Sequence, residues 1–343
     1  CGYCTPGFVM SLVEACHRPE LADADPADWR LDDQICGNLC RCTGYRPIRD
    51  ALRRVAGTQP EDRISACPAS TRTGGLDYTA DGQRFVAPAT LADAVAFRSA
   101  VPEARIVSGA TDLGLDVTKK HARFDTLLSL DRIPELRTLT EGDLGHRIGA
   151  AVSLSSLEDW STTRLPMLHR MLRYFGSRQI KHRATLGGNL CTASPIGDLA
   201  PVLLALGATA ELAGPRGARL VPFSEFFLSY RQTALRPDEL LSAVHVPTPD
   251  PKARRGAYKV SRRREMDISA VSGAFFVRET GGVVVEARLA FGGVAATPIR
   301  ATAAEAALVG RPLEAALDDA LAALPEQVTP LSDHRGSAWF RKT

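Results

Sequence analysis

Cys1-Gly2-Tyr3-Cys4-Thr5-Pro6-Gly7-Phe8-Val9-Met10-Ser11 and, further along, Gly37-Asn38-Leu39-Cys40-Arg41-Cys42-Thr43-Gly44-Tyr45-Arg46-Pro47-Ile48 decide how the start of this chain is read. The two close pairs, Cys1-x2-Cys4 and Cys40-x-Cys42, converge only in three dimensions. Each stands at the start of an expected helix. Thr5 can cap, Pro6 is tolerated at the first helical position, and Phe8, Val9, Leu12 and Val13 supply an apolar stripe. A second helix should open at Pro47. Backbone N–H groups and the helix dipole then face the sulfurs and favour thiolate over thiol. A free cysteine with a pKa of ~8.5 is mostly protonated at neutral pH, so a soft-metal site needs such help.

Six of the eight cysteines, at positions 1, 4, 16, 36, 40 and 42, crowd into this segment, and only Cys67 and Cys191 lie beyond it. Paired disulfides fit poorly with a chain of cytoplasmic character. Structural zinc normally shows a Cys-x2-Cys knuckle on both sides. Iron–sulfur is the first reading and zinc the second. Cys36 competes with Cys40 by proximity, whereas Cys16, inside a helix, and Cys67, in a linker, read as inert.

At 343 residues, 45% hydrophobic and 24% charged, the chain is expected to form two or three domains with sizeable cores. Its 42 Lys and Arg against 39 Asp and Glu leave a net charge of +3, too small to imply nucleic acid or a membrane surface. No apolar run approaches the ~18–20 residues that span a bilayer, and no leader pattern precedes Cys1. The expectation is a soluble, cytoplasmic protein, whose initial cysteine suggests a start inside a longer polypeptide.

The first module is expected over residues 1–57. Residues 58–78, rich in Thr, Pro, Ser, Gly and Arg without apolar periodicity, read as a linker. Beyond it, Leu91–Ala100 and Leu165–Tyr174 read as helices, Arg105–Val107 as a strand and Ala200–Leu206 as an apolar helix, an α+β pattern over 79–247. A β-branched stretch and then an Ala-rich helix at Ala301–Val309 suggest a small strand-and-helix domain over 248–343.

Two segments of the middle domain pack small residues together. Ile106-Val107-Ser108-Gly109-Ala110-Thr111-Asp112-Leu113-Gly114 reads as a strand entering a tight glycine turn whose N–H groups can hold a phosphate. It is not a G-x-G-x-x-G fingerprint. Thr185-Leu186-Gly187-Gly188-Asn189-Leu190-Cys191-Thr192-Ala193-Ser194-Pro195-Ile196-Gly197-Asp198-Leu199 again permits close backbone approach to a ligand. The plain alternatives are an ordinary turn and an irregular connection.

CGYCTPGFVMS and GNLCRCTGYRPI resemble the second, all-helical [2Fe-2S] domain of the xanthine dehydrogenases and aldehyde oxidases, within the molybdenum hydroxylase family. This resemblance implies Cys1, Cys4, Cys40 and Cys42 as metal ligands and leaves Cys36 out. The two small-residue segments resemble the family's FAD-binding domain, of the PCMH or vanillyl-alcohol-oxidase-like type. By that resemblance Val107, Gly109, Ala110, Thr111, Asp112, Leu113, Thr185, Gly188, Asn189 and Thr192 hold the pyrophosphate and ribityl chain. Asp198 bonds adenosine hydroxyls, and Phe175 lies near the isoalloxazine. Tyr258-Lys259-Val260-Ser261-Arg262-Arg263-Arg264-Glu265-Met266-Asp267-Ile268 is similar to the segment in which a lysine, here Lys259, contacts FAD and its neighbours border the face used by nicotinamide. Leu241 joins the cofactor-binding set, and Tyr230, Leu241 and Met266 mark where an oxidase's flavin face would differ. The final domain resembles the family's flavoprotein C-terminal domain, and the resemblance implies that relatives continue beyond it with another helix.

The resemblance implies an electron-transfer subunit of xanthine dehydrogenase, acting in purine oxidation. Single electrons would come from a molybdopterin centre on a large partner subunit, in a dimer of heterodimers, through [2Fe-2S] to FAD and on to NAD. Substrate hydroxylation, the molybdopterin and a second [2Fe-2S] cluster would lie elsewhere in the complex. The alternatives are the flavin subunit of an aldehyde oxidase or carbon monoxide dehydrogenase relative using oxygen or quinone, and a zinc-stabilised scaffold protein without cofactor.

Overall fold

Helices α1 (Thr5–Cys16), α2 (Trp29–Ile35) and α3 (Arg46–Val55) bring Phe8, Ala15, Leu31, Ile35 and Leu52 into one small apolar core. The computed structural model describes residues 1–24, 29–66 and 74–343; Cys67 lies outside them. Pro6 and Pro47 sit in the first turns of α1 and α3, where a missing N–H costs nothing. Two local expectations change. Cys4, not Thr5, occupies the N-cap of α1 and makes no side-chain cap; Cys16 is the last residue of that helix rather than an interior one.

The chain divides into two compact units, the first being Cys1–Arg72 together with Gly176–Lys181. Within it the early part of the expected linker is anchored. Gln59 N–H donates to the Cys16 carbonyl at 2.8 Å, and Asp62 pairs with His17 at 3.2 Å. The linker's last residues are a strand, because Leu76, Asp77 and Tyr78 pair in register with Ala87, Val86 and Phe85.

The second unit, Thr73–Phe175 with His182–Thr343, carries three main sheets. Strands β1 (Leu76–Ala80), β2 (Gln83–Ala87), β3 (Arg105–Val107) and β4 (Thr126–Ser129) form the first, in the order β1-β2-β4-β3. Helices α4 (Leu91–Ala100) and α5 (Leu113–Lys120) provide the crossovers that let β2 and β3 run parallel to β4. The antiparallel second sheet, β5-β6-β11-β7-β8, takes β5 (Leu139–Gly142) and β6 (Gly145–Gly149) and then, after a run of helices, its remaining strands.

Those helices are α6 (Leu154–Arg164), α7 (Pro166–Arg173), α8 (Arg178–Arg183), α9 (Leu186–Cys191) and α10 (Leu199–Leu206). They are followed by β7 (Thr209–Gly214), β8 (Gly217–Pro222), the short α11 (Phe223–Phe226), the ribbon β9 (Phe227–Ser229) and β10 (Gln232–Thr233), and β11 (Leu240–Val246). All eight residues of α10 are buried, as its apolar composition requires, and Gly207 ends it at φ +71°. The third sheet is an antiparallel meander of β12 (Arg254–Val260), β13 (Val271–Thr280), β14 (Val283–Gly292) and β15 (Ile299–Arg300). Helix α10 packs on β13 and β14. Helix α12 (Thr302–Leu308) packs on β14 and on α13 (Leu313–Gln327), and α14 (Ala338–Lys342) follows. Among the described residues no helix is long and apolar enough to cross a membrane.

Candidate cofactor sites

In the second unit, β3 delivers Val107 to a turn in which Gly109 (φ +72°) and Ala110 (φ +63°) are successive left-handed residues, just before the first residue of α5, Leu113. A side chain at Gly109 is excluded twice: by its φ, and because a Cβ there would lie 1.8 Å from the Arg183 carbonyl oxygen. The Asp131 carboxylate accepts the Gly109 N–H at 3.2 Å and also pairs with Arg183 at 3.3 Å, so it ties the turn to the approach of the second loop.

That loop starts at Thr185, the N-cap of α9, whose Oγ1 accepts the Gly188 N–H at 3.1 Å. The Ser108 and Thr185 hydroxyls meet at 3.0 Å, which joins the two segments directly although 77 positions separate them. A Cβ on Gly188 would stand 3.3 Å from the Ser108 carbonyl oxygen. Thr192 Oγ1 donates back to the Gly188 carbonyl at 2.9 Å, and Asn189, within the same short helix, completes the stretch. The result is two backbone turns, each leading into a helix N-terminus, held side by side. Such a pair favours an anion such as a pyrophosphate.

Asp198 and Lys259 are brought together by the fold. Lys259 Nζ donates to an Asp198 oxygen at 2.8 Å and to the Tyr174 carbonyl at 3.0 Å, and Ser269 donates to the other Asp198 oxygen. Both charged side chains are almost wholly buried, so each is the condition for the other's charge. Tyr174 also carries the Arg264 guanidinium over its ring at 5.8 Å, so the 258–268 segment packs against the residue next to Phe175. Phe175 itself lies half-buried on the main apolar core. Leu241 is fully inside that core with Leu186 and Leu190, on β11, while Tyr230 is exposed and Met266 adopts φ +53°.

In the first unit the cysteines gather in two pairs. Cys4 packs against the small core to which Cys40 belongs, and the Cys1 nitrogen lies 3.6 Å from Cys42 Sγ. Among the described residues no set of three or more His, Cys, Asp or Glu groups is closed around one point, and Cys1 and Cys42 stay exposed while Cys40 is buried. The chemistry around Cys40 nevertheless suits a metal-bound thiolate. Thr43 Oγ1 lies 3.1 Å from its sulfur and the Cys42 N–H donates at 3.4 Å. The Thr43 hydroxyl first, then the Cys42 and Thr43 backbone N–H groups, hold the Cys40 pKa down to about 7. Cys4 moves the opposite way, raised first by burial and then by the neighbouring Cys40. Cys36 does not join the pairs; its thiol faces Asp33 at 3.9 Å.

Sequence reading missed the supporting residues Ser108, Asp131 and Ser269, which are polar residues of ordinary appearance. It also missed the role of Gly176–Lys181. In the first unit Arg178 pairs with Glu14 at 2.9 Å, Lys181 with Asp33 at 3.1 Å, and the Gln179 amide reaches Ser11 at 3.3 Å and crowds Gly37, where a Cβ would lie 2.0 Å from Gln179 Oε1. The only signal in the sequence was a basic run, a common feature of solvated surfaces.

A cysteine corner that favours charge on Cys40 and a pair of glycine turns that can hold a phosphate stand in one chain, a combination suited to an iron–sulfur cluster and a flavin dinucleotide. Comparison with known proteins agrees: residues 1–53 match the [2Fe-2S] binding domain, 79–249 the FAD binding domain in molybdopterin dehydrogenase, and 256–343 the CO dehydrogenase flavoprotein C-terminal domain. The chain is 29% identical to xanthine dehydrogenase of Oryza sativa subsp. japonica over 91% of its length and 28% of that protein. It is 31% identical to xanthine dehydrogenase/oxidase of Gallus gallus, with the same coverage on both sides. It therefore spans less than a third of the length of these relatives. Carbon monoxide dehydrogenase from Hydrogenophaga pseudoflava superposes with a TM-score of 0.72 at 30% identity, over 75% of this chain and 91% of that one. The chain belongs to the molybdenum hydroxylase family, as an FAD and iron–sulfur electron-transfer component.

Proposed function

We propose that this chain is the electron-transfer portion of a xanthine dehydrogenase, working with a molybdopterin-binding partner that oxidises hypoxanthine or xanthine and passing the electrons to NAD. The observation that carries this reading is the union in one chain of the [2Fe-2S] and flavin modules, matched to xanthine dehydrogenases over 91% of the chain. Cys1, Cys4, Cys40 and Cys42 would hold the cluster, with Thr43 and the Cys42 N–H stabilising charge on Cys40. Val107, Gly109, Ala110, Thr111, Asp112 and Leu113 would face Thr185, Gly188, Asn189 and Thr192 across the FAD phosphates and ribityl chain.

When bound, the cluster would supply one-electron and the flavin two-electron redox chemistry, so that two electrons arriving singly could leave together with one proton as a hydride. Lys259 and Asp198, each engaged with the other, would offer one cation and one carboxylate to the cofactor, with Phe175 at the ring and Leu241 as apolar backing. The partner would carry the purine chemistry, in a dimer of heterodimers within the cytoplasm.

A second reading has its own support: the three-quarter superposition on a carbon monoxide dehydrogenase favours a flavin component that hands electrons to quinone or oxygen. Anaerobic EPR of the purified protein, with NADH and then dithionite, together with iron and flavin assays, separates the two. A rhombic S = 1/2 signal after NADH is the expected result. A signal only after dithionite would move the acceptor to quinone or oxygen, and zinc without flavin would end both readings.

A further inference from the structure

Three hydrogen bonds close a ring around Cys40. The Cys40 N–H donates to the Tyr45 phenol oxygen at 3.1 Å, and the Tyr45 N–H donates to Thr43 Oγ1 at 3.1 Å. Thr43 Oγ1 in turn lies 3.1 Å from Cys40 Sγ. A hydroxyl oxygen can accept twice and donate once, so the bond from Tyr45 engages one Thr43 lone pair and leaves the hydroxyl hydrogen available to the sulfur. A metal-bound cysteine sulfur carries no proton, so the donor there is Thr43.

The geometry is held by the backbone. Gly44 (φ +63°) and Tyr45 (φ +66°) are successive left-handed residues, and the second is one that no tyrosine adopts without support. That support includes the Phe8 ring, packed edge-on against Tyr45 with centroids 6.4 Å apart. The donors are also unequally shared. Cys40 receives the hydroxyl and the Cys42 N–H, while Cys42 has the Cys1 nitrogen at 3.6 Å and is exposed.

Resting on the [2Fe-2S] reading above, we propose that Thr43 is a tuning residue: its hydroxyl hydrogen bond to Cys40 Sγ raises the reduction potential of the cluster. Adding an electron places more negative charge on the ligating sulfurs, so a fixed donor stabilises the reduced form more than the oxidised one. Tyr45 is a positioning residue that orients this donor.

The test is an anaerobic redox titration of the whole chain, read by EPR, for the native protein, Thr43→Val and Thr43→Ser. Thr43→Val is expected to lower the midpoint by the equivalent of about a tenfold change in the reduction equilibrium, ~59 mV for one electron. Thr43→Ser, which keeps the hydroxyl, should stay within about threefold of native. A fully iron-loaded Thr43→Val with the native midpoint overturns the proposal. Should Thr43→Val lose iron, Thr43→Ala is titrated in its place with the same expectation. Loss of iron from both, with Thr43→Ser loaded, would show a role in holding the cluster and overturn the tuning role. A native protein without iron would instead refute the underlying cluster reading, so the two failures are distinguishable.

Discussion

Gly109 shows how much of the proposed flavin site rests on one atom that is missing. Adding a methyl group would force φ +72° on a residue that resists it and push Cβ to 1.8 Å from a carbonyl oxygen that the Asp131 and Arg183 contacts hold in place. Gly109→Ala is expected to cost at least about 2 kcal/mol and to strip flavin from the purified protein. Thermal unfolding and the flavin-to-protein absorbance ratio check this; native stability with full flavin would show that the turn relaxes freely. At the same scale, the cysteines were legible as two pairs, but which neighbours donate to which sulfur was not. Thr43 and Tyr45 stand next to the pair in sequence, yet their ring of hydrogen bonds depends on two left-handed backbone residues, one of them a non-glycine.

Strands β6, β7 and β11 illustrate the scale of elements. Their register sets Glu211 on β7 against Arg147 and His245, with contacts of 2.8 and 2.7 Å, and beside Ser242, whose hydroxyl donates to it at 2.7 Å. Burial opposes charge on this carboxylate, but Arg147, Ser242 and His245 outweigh it and lower its pKa to about 2. A depressed carboxylate stabilises the fold fully above its unfolded pKa of ~4.3 and loses that contribution as pH falls toward 2. Glu211→Gln is therefore expected to melt below the native protein at pH 7, with the gap narrowing steadily between pH 5 and pH 2. Melting curves across that range test it, and a gap independent of pH would rule it out. The helices α4, α7, α10 and α12 were legible from apolar spacing and alanine content. The linker was not read correctly at its end, since composition alone hid a strand whose partner β2 follows immediately.

At the scale of the whole molecule, the first unit is not one continuous stretch of chain. Gly176–Lys181 belongs to it through the Arg178–Glu14 and Lys181–Asp33 pairs, and Lys181 is fully buried. Removing one partner of a buried pair strands the other charge, at about 3–5 kcal/mol. Lys181→Met is expected to speed amide hydrogen exchange in α1 and α2, and Asp33→Asn added to it should restore much of the protection. Hydrogen exchange by mass spectrometry measures both, and unchanged exchange in Lys181→Met would mean that the pair holds nothing. By itself the sequence determined the helical cysteine module, the two glycine loops, the apolar helices and the resemblance to molybdenum hydroxylases, because these reside in local spacing, turn chemistry and side-chain type. Only the tertiary structure decided that Ser108 meets Thr185, that Lys259 neutralises Asp198, and that Gly176–Lys181 joins the first unit. Those contacts join residues far apart in the chain, and packing and the pairing of buried charge select them, which no local pattern records.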